Sequence, residues 1–171
     1  ENGNYYNRFY FVHPDGTVQH YDKKHLFTFG GEHKRFTAGT ERVVVNFRGV
    51  RILLEVCYDL RFPVWARNLG DYDMILYVAS WPTPRVDAWS ALLRARAIEN
   101  QCYVAGVNRM GVDPACEYSG GSAIIDPYGK TIAECPWSRE SAVSADIDME
   151  ALQAFRKKFP VLDDADPFTL I

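Results

Sequence analysis

Apolar and β-branched residues fall in short runs separated by turn-forming groups, and the first such run is Arg8–Val12 (RFYFV). It ends at Pro14-Asp15-Gly16, where Pro presets φ, Asp bonds its own backbone and Gly accepts a positive φ. Thr17–Tyr21 returns from that turn, so residues 8–22 are expected to form a hairpin. A second pair follows in Arg42–Phe47, a turn at Arg48-Gly49, and Val50–Val56. The run ILLEV is interrupted only by Glu55, which predicts a strand covered on both faces. Thr28–Gly39, polar and glycine-bearing, reads as a surface loop. Asp73–Ala79 is another buried strand, and Asp87 is placed to cap a helix that runs to about Gln101. Ala91, Leu92, Ala95, Ile98 and Cys102 recur at helical spacing and predict its buried face. Tyr103–Val107 is a strand; Ser122–Ile125 and Lys130–Ala133 pair across the turn Asp126-Pro127-Tyr128-Gly129. Ala142–Ile147 is a last strand, and Asp148 caps a closing helix that stops before Pro160. Strands alternating with helices, with hairpins intruding, give an α/β class with a mixed sheet and helices on its outer face. With no repeat and no linker, residues 1–171 read as one domain.

Composition narrows the function. The chain is 47% hydrophobic and 24% charged, which excludes a disordered or collagen-like protein. Nineteen Lys and Arg against 22 Asp and Glu give a net charge of −3, with no basic stripe, so nucleic acid is not the expected partner. No apolar run approaches the roughly 20 residues of a membrane helix, so no membrane partner is expected either. Cys57, Cys102, Cys116 and Cys135 stand far apart, and His13, His20, His25 and His33 do not interleave with them as zinc ligands do. Reduced thiols, no metal and a cytoplasmic setting follow, with no signal-peptide pattern at the start. The opening Glu-Asn-Gly-Asn-Tyr-Tyr-Asn-Arg has no initiator Met and runs straight into a strand, so the chain reads as beginning within a larger unit.

Two segments could carry chemistry. Cys57 ends an apolar strand and precedes Tyr58-Asp59-Leu60-Arg61-Phe62-Pro63, where the chain turns. The carboxyl end of a strand in an open α/β sheet is where such sheets bind ligands, and N–H groups at the turn can face an anion. A small buried apolar cysteine is the alternative. In Tyr21-Asp22-Lys23-Lys24-His25-Leu26-Phe27, alternation along a strand turns one lysine inward, where it needs an anionic partner. A solvated strand end is the alternative there. Asp59 and Arg61 read as a local ion pair or helix-start contacts, His25 as a satisfied polar residue, and Arg96 and Glu99 as a pair on one helix.

The order Y-x-K-x-H-L-F, then C-Y-D-x-R-F-P after an apolar strand, resembles the nitrilase (carbon–nitrogen hydrolase) superfamily. The likeness continues through Arg94-Ala95-Arg96-Ala97-Ile98-Glu99-Asn100-Gln101, Tyr103-Val104-Ala105, Gly121-Ser122 and Asp126-Pro127-Tyr128-Gly129. The spellings VCYDLRFPVW, DYDMILYVASWP and RAIENQ are similar to its ω-amidase branch, which hydrolyses side-chain amides of small dicarboxylates. The resemblance implies an α-β-β-α sandwich, usually dimerised, and incomplete here at its N-terminal third. It implies Cys57 as nucleophile, Lys23 as catalytic lysine and Glu32 as auxiliary glutamate, with the backbone N–H of Tyr58 facing the oxyanion. The general-base glutamate belongs to the N-terminal third of the family domain, and Glu1 is not it. The substrate is a small amide such as 2-oxoglutaramate or 2-oxosuccinamate, cleaved through a cysteine thioester with release of ammonia and without cofactor. Trp81 either lines the pocket or serves aromatic packing, and Arg85 and Arg109, following strand ends, are the candidates to bind a carboxylate. A non-catalytic binding or assembly protein, or a nitrilase or carbamoylase of the same superfamily, are the rival readings. The tail carrying Phe168, Leu170 and Ile171 is expected to pack across a homodimer or higher homo-oligomer.

Overall fold

The computed structural model describes residues 1–169. Its elements, in chain order, are β1 (Arg8–Val12), β2 (Val18–Asp22), β3 (Val44–Phe47), β4 (Val50–Val56), α1 (Pro63–Ala66), β5 (Met74–Ala79), α2 (Val86–Glu99), β6 (Tyr103–Asn108), β7 (Met110–Val112), β8 (Glu117–Ser119), β9 (Ala123–Ile125), β10 (Thr131–Glu134) and α3 (Met149–Lys158). Six strands form one mixed sheet in the order β10-β9-β6-β5-β4-β3. At its centre β4, β5 and β6 run parallel, so their carboxyl ends lie along one edge. The outer pairs β3–β4, β6–β9 and β9–β10 are antiparallel, which is why hairpin signals intrude on an alternating pattern.

Alternation along β4 sends Leu53 to one face and Leu54 to the other, and both are fully buried, as expected for a strand covered on both sides. The first face, with Leu53, Ile75, Tyr77 and Val104, packs against Trp89, Leu93 and Ala97 of α2. Gly106 of β6 permits this: a Cβ there would stand 2.6 Å from Leu93 Cδ1 and 2.8 Å from the Trp89 ring. The second face, with Ile52, Leu54 and Leu76, packs against Tyr21, Phe9 and Phe11 of the β1–β2 hairpin. Each such fully buried side chain contributes about 1.5–3 kcal/mol. Helix α3 lies where β5 and β6 begin: Arg156 donates to the Tyr72 and Gln101 carbonyls and to Asp73.

Several expectations change. Thr28–Gly39 is not featureless, because it winds into 3-10 turns at Thr28–Gly30 and Glu32–Lys34. Helix α2 begins at Val86, so Asp87 lies in its first turn and caps nothing. The buried face of α2 is Trp89, Leu93, Arg96 and Ala97; Ile98 is exposed and Ala91 faces solvent. Residues 142–147 have the alternation of a strand, but they pair with no strand among the described residues and are mostly exposed. The β7–β8 hairpin was not anticipated. Asp148 does cap α3, accepting from Ala151 N–H at 2.8 Å, and the helix stops before Pro160. Phe168 lines a small cleft with Pro63 and Val64; Leu170 and Ile171 lie outside the described residues. Among the described residues, no helix is long and apolar enough to cross a membrane.

Candidate active site

Beyond the carboxyl ends of β4 and β5 opens a cleft of about 560 Å³, lined by Lys23, Glu32, Cys57, Tyr58, Trp81 and Arg85 among others. Cys57 enters it because β4 ends at Val56 and the next five residues coil into a 3-10 turn, Cys57–Arg61. The Cys57 backbone is in the left-handed region, φ 50°, which points the side chain off the strand line. Its thiol donates to the Ser80 carbonyl, just past β5, at 3.8 Å. Burial pushes the thiol pKa up, and the Lys23 charge opposes that without cancelling it. A neighbouring cation alone therefore does not make Cys57 a thiolate, and a proton acceptor is required.

Lys23 follows β2 and is 4% exposed. Its backbone is held on both sides: its N–H donates to Asn7 O, and Gly39 N–H donates to its carbonyl, both at 2.9 Å. Gly39 passes so close that a Cβ would stand 2.0 Å from the Asp22 carbonyl oxygen. The ammonium donates to both oxygens of Glu32, at 2.9 and 2.7 Å, so the inward lysine has the anionic partner it requires. Glu32 comes within reach because the two 3-10 turns fold its loop back over β2; it also accepts from Phe27 N–H at 2.5 Å and from the Asn7 side chain. Those donors hold its carboxyl below the usual range against the upward push of burial.

Other lining residues are aromatic and cationic. Trp81 is buried, its backbone N–H donating to the Asn108 side-chain oxygen at 2.7 Å and its indole N–H to the Arg85 carbonyl at 2.6 Å. The Arg61 guanidinium lies 5.0 Å over the Trp81 ring, and that of Arg85 lies 5.4 Å over Phe27. Asp59 does not pair with Arg61: it is fully buried and accepts from Tyr21, His25 and Val56. Arg61 is thereby free to face the cleft. Arg109 is not among the lining residues; it stacks 4.4 Å over Tyr118, which is. Tyr118 and Cys116 reach the cleft from the unanticipated β7–β8 hairpin. Only the Asp113-Pro114 turn in the sequence signalled that hairpin. All four cysteines are free thiols. Among the described residues, no group of three or more His, Cys, Asp or Glu stands where it could hold a metal ion.

Known proteins resemble this chain in sequence and fold. Residues 1–157 match the carbon–nitrogen hydrolase family. The chain is 55% identical over 165 residues to Omega-amidase YafV of Escherichia coli K12, covering 96% of this chain and 64% of that protein. It is 40% identical over 167 residues to the 2-oxoglutaramate amidase of Bacillus subtilis, again covering 96% of this chain and 64% of that protein. The chain thus spans a little under two thirds of the length of these relatives. A CN-hydrolase superfamily protein of Xanthomonas campestris, solved with an arsenic adduct in its active site, superposes with a TM-score of 0.96 at 47% identity, over 99% of this chain and 67% of that one. The Caenorhabditis elegans NitFhit protein superposes at 0.82 with 31% identity, over 94% of this chain and 42% of that one. By sequence and by fold, the chain belongs to the carbon–nitrogen hydrolase family.

Proposed function

We propose that the complete gene product is a thiol amidohydrolase that cleaves the ω-amide of a small dicarboxylate, 2-oxoglutaramate or a near homologue, through a thioester on Cys57. The observation that carries this reading is the meeting of Cys57 and the Lys23–Glu32 pair in one cleft that Arg61 and Arg85 also line. An amide carbonyl is a poor electrophile, so it needs a strong nucleophile and a site for the developing oxyanion. A dicarboxylate monoamide adds a negative charge at its other end, which a guanidinium binds with two parallel hydrogen bonds. Relatives named Omega-amidase and 2-oxoglutaramate amidase support the choice of substrate.

In this reading Cys57 Sγ attacks the amide carbon. Its proton passes to the glutamate that the family resemblance assigns to the N-terminal third of the domain, since Glu32 is engaged by Lys23, Phe27 and Asn7. The oxyanion is met by the Lys23 ammonium, a compact point charge, and by the Tyr58 N–H in the first turn after the strand, where helical N–H groups have no partner of their own. The C–N bond breaks, the nitrogen takes the proton and leaves as ammonia, and a thioester remains. Water, giving its proton to the same base, then releases the carboxylic acid and restores the thiol. Glu32 aims the Lys23 ammonium through both of its oxygens. Residues 1–171 supply the C-terminal two thirds of a single hydrolase domain in this scheme, with a small-molecule substrate and a second copy of the chain as partners.

Ammonia release from 2-oxoglutaramate by the complete gene product, beside its Cys57→Ala variant, tests this. Release by the parent and none by the variant is expected. Equal release by both removes Cys57 as nucleophile, and no release from a folded parent removes the substrate.

A further inference from the structure

Asp59 lies two residues after Cys57, with no exposed surface, and accepts four hydrogen bonds. Oδ1 takes the His25 backbone N–H and the His25 ring Nδ1, both at 2.8 Å. Oδ2 takes the Tyr21 hydroxyl at 2.9 Å and the Val56 N–H at 3.1 Å. These donors belong to two separate stretches of chain. Tyr21 and His25 stand on either side of Lys23, and Val56 immediately precedes Cys57. The His25 ring is fixed in turn by stacking on Phe62 at 3.7 Å and 6°, and Phe62 closes the turn that Cys57 opens.

A second buried carboxyl makes the contrast. Glu55, two residues before Cys57, is also fully buried, and neither of its oxygens has a hydrogen-bond partner. Of two neighbouring buried carboxyls, one is surrounded by donors and the other meets none. A buried carboxyl group that gathers four donors is a rigid node, bonded three times to the stretch around Lys23 and once, through the Val56 N–H, to the strand that ends at Cys57.

We propose that Asp59 is a positioning residue whose carboxylate, acting through His25, fixes the distance between Lys23 and Cys57. This rests on the reading of those two residues as the catalytic pair. A lysine stem of four carbons does not fix its own head, and catalytic geometry must be held within about 0.5 Å. The Lys23–Glu32 pair aims the ammonium within its own loop, but it does not connect that loop to the strand that carries the nucleophile. The Asp59 node does.

The experiment uses the complete gene product and two readouts: the rate at which iodoacetamide labels Cys57 under native conditions, and kcat and KM for ammonia release. His25→Leu removes the ring donor and keeps the backbone bond to Asp59. His25→Asn returns an amide N–H near the place of Nδ1. His25→Leu is expected to slow Cys57 labelling about tenfold and to lower kcat about tenfold with KM within twofold of the parent. His25→Asn is expected to recover both to within threefold. Asp59→Asn, which confronts one pair of donors with an N–H₂ group, is expected to lose at least as much as His25→Leu. Leu152→Ala, a core truncation in α3, is the control for general destabilisation and leaves both rates at the parent's. Parent-like labelling and kcat in folded His25→Leu overturns the proposal, as does a loss that His25→Asn fails to recover. Failure of the amidase reading itself shows differently, as absence of turnover in the parent, and the labelling ratios then still decide the role of Asp59.

Discussion

The Lys23 ammonium stands between the two oxygens of Glu32, 2.7 and 2.9 Å away, with both side chains largely out of water. The pair serves packing and chemistry at once. Removing one partner leaves the other buried and uncompensated, which costs about 3 kcal/mol. Lys23→Met is therefore expected to abolish turnover and also to lower the melting temperature by roughly 6–12 °C, at about 2–4 °C per kcal/mol for a chain of this size. Thermal unfolding followed by circular dichroism checks this. An unchanged melting temperature contradicts the buried pair.

The Cys57 thiol is pushed up by burial, with Lys23 pulling the other way. Raising a thiol pKa lowers the thiolate fraction at neutral pH. Alkylation of Cys57 in the 171-residue chain is expected to go on accelerating above pH 8.5, the ordinary thiol value of about 8.5 notwithstanding. Lys23→Met is expected to move that rise to still higher pH. A labelling rate that levels off below pH 8 would refute both statements.

Glu55 carries a stability prediction of definite sign. Burial, then the nearby Asp59 charge, raises its pKa above the ordinary 4.5. In the unfolded chain it ionises near that value, whereas in the fold it keeps its proton. Its contribution is thus fully present below pH 4.5 and is lost as pH rises toward the folded value. Glu55→Gln, which has no proton to lose, is expected to stabilise the protein at pH 7 by about 1–3 kcal/mol, and the gain is expected to vanish near pH 4. Urea unfolding at the two pH values measures it; a gain that is equal at both, or larger in acid, contradicts a neutral buried carboxyl.

Arg61 over Trp81 supplies a cation to the cleft wall. Losing a charged hydrogen bond to a substrate carboxylate costs about 1.5–3 kcal/mol, or ten- to a hundredfold. Arg61→Met is expected to raise KM for 2-oxoglutaramate by that factor and to leave a neutral aliphatic amide of similar length unaffected. Equal losses on both substrates would show that Arg61 holds the turn together and does not recognise charge.

What the sequence made legible was local. Pro14-Asp15-Gly16 encodes the β1–β2 turn within three residues, and the ILLEV run declares a strand with two covered faces. Lys23 and Cys57 could be singled out because each sits in a recognisable short segment, and Glu32 only through the family resemblance, by its place in the loop after the lysine; the structure brings all three to one cleft. What stayed hidden depends on distant partners. Of the two local readings of Asp59, the helix-start contact holds, since it accepts from the Val56 N–H, while the ion pair with Arg61 does not form; its bonds to Tyr21 and His25, across 38 and 34 residues, had no local signal. The face of α2 was misread because Arg96, a charged residue, is buried where it donates to the Leu60 carbonyl. Residues 142–147 alternate like a strand, yet among the described residues they pair with no other strand, and alternation without a partner makes no sheet. The β7–β8 hairpin is too short for its periodicity to register.

Cys57 adopts φ 50°, a conformation that only glycine takes without strain. Evolutionary drift toward a sturdier backbone at this position would therefore discard the thiol, and an inert protein with glycine there should outlast one with alanine by about 1 kcal/mol. Selection for stability and selection for the nucleophile pull on the same α-carbon in opposite directions. The cysteine is retained at the expense of the fold that carries it.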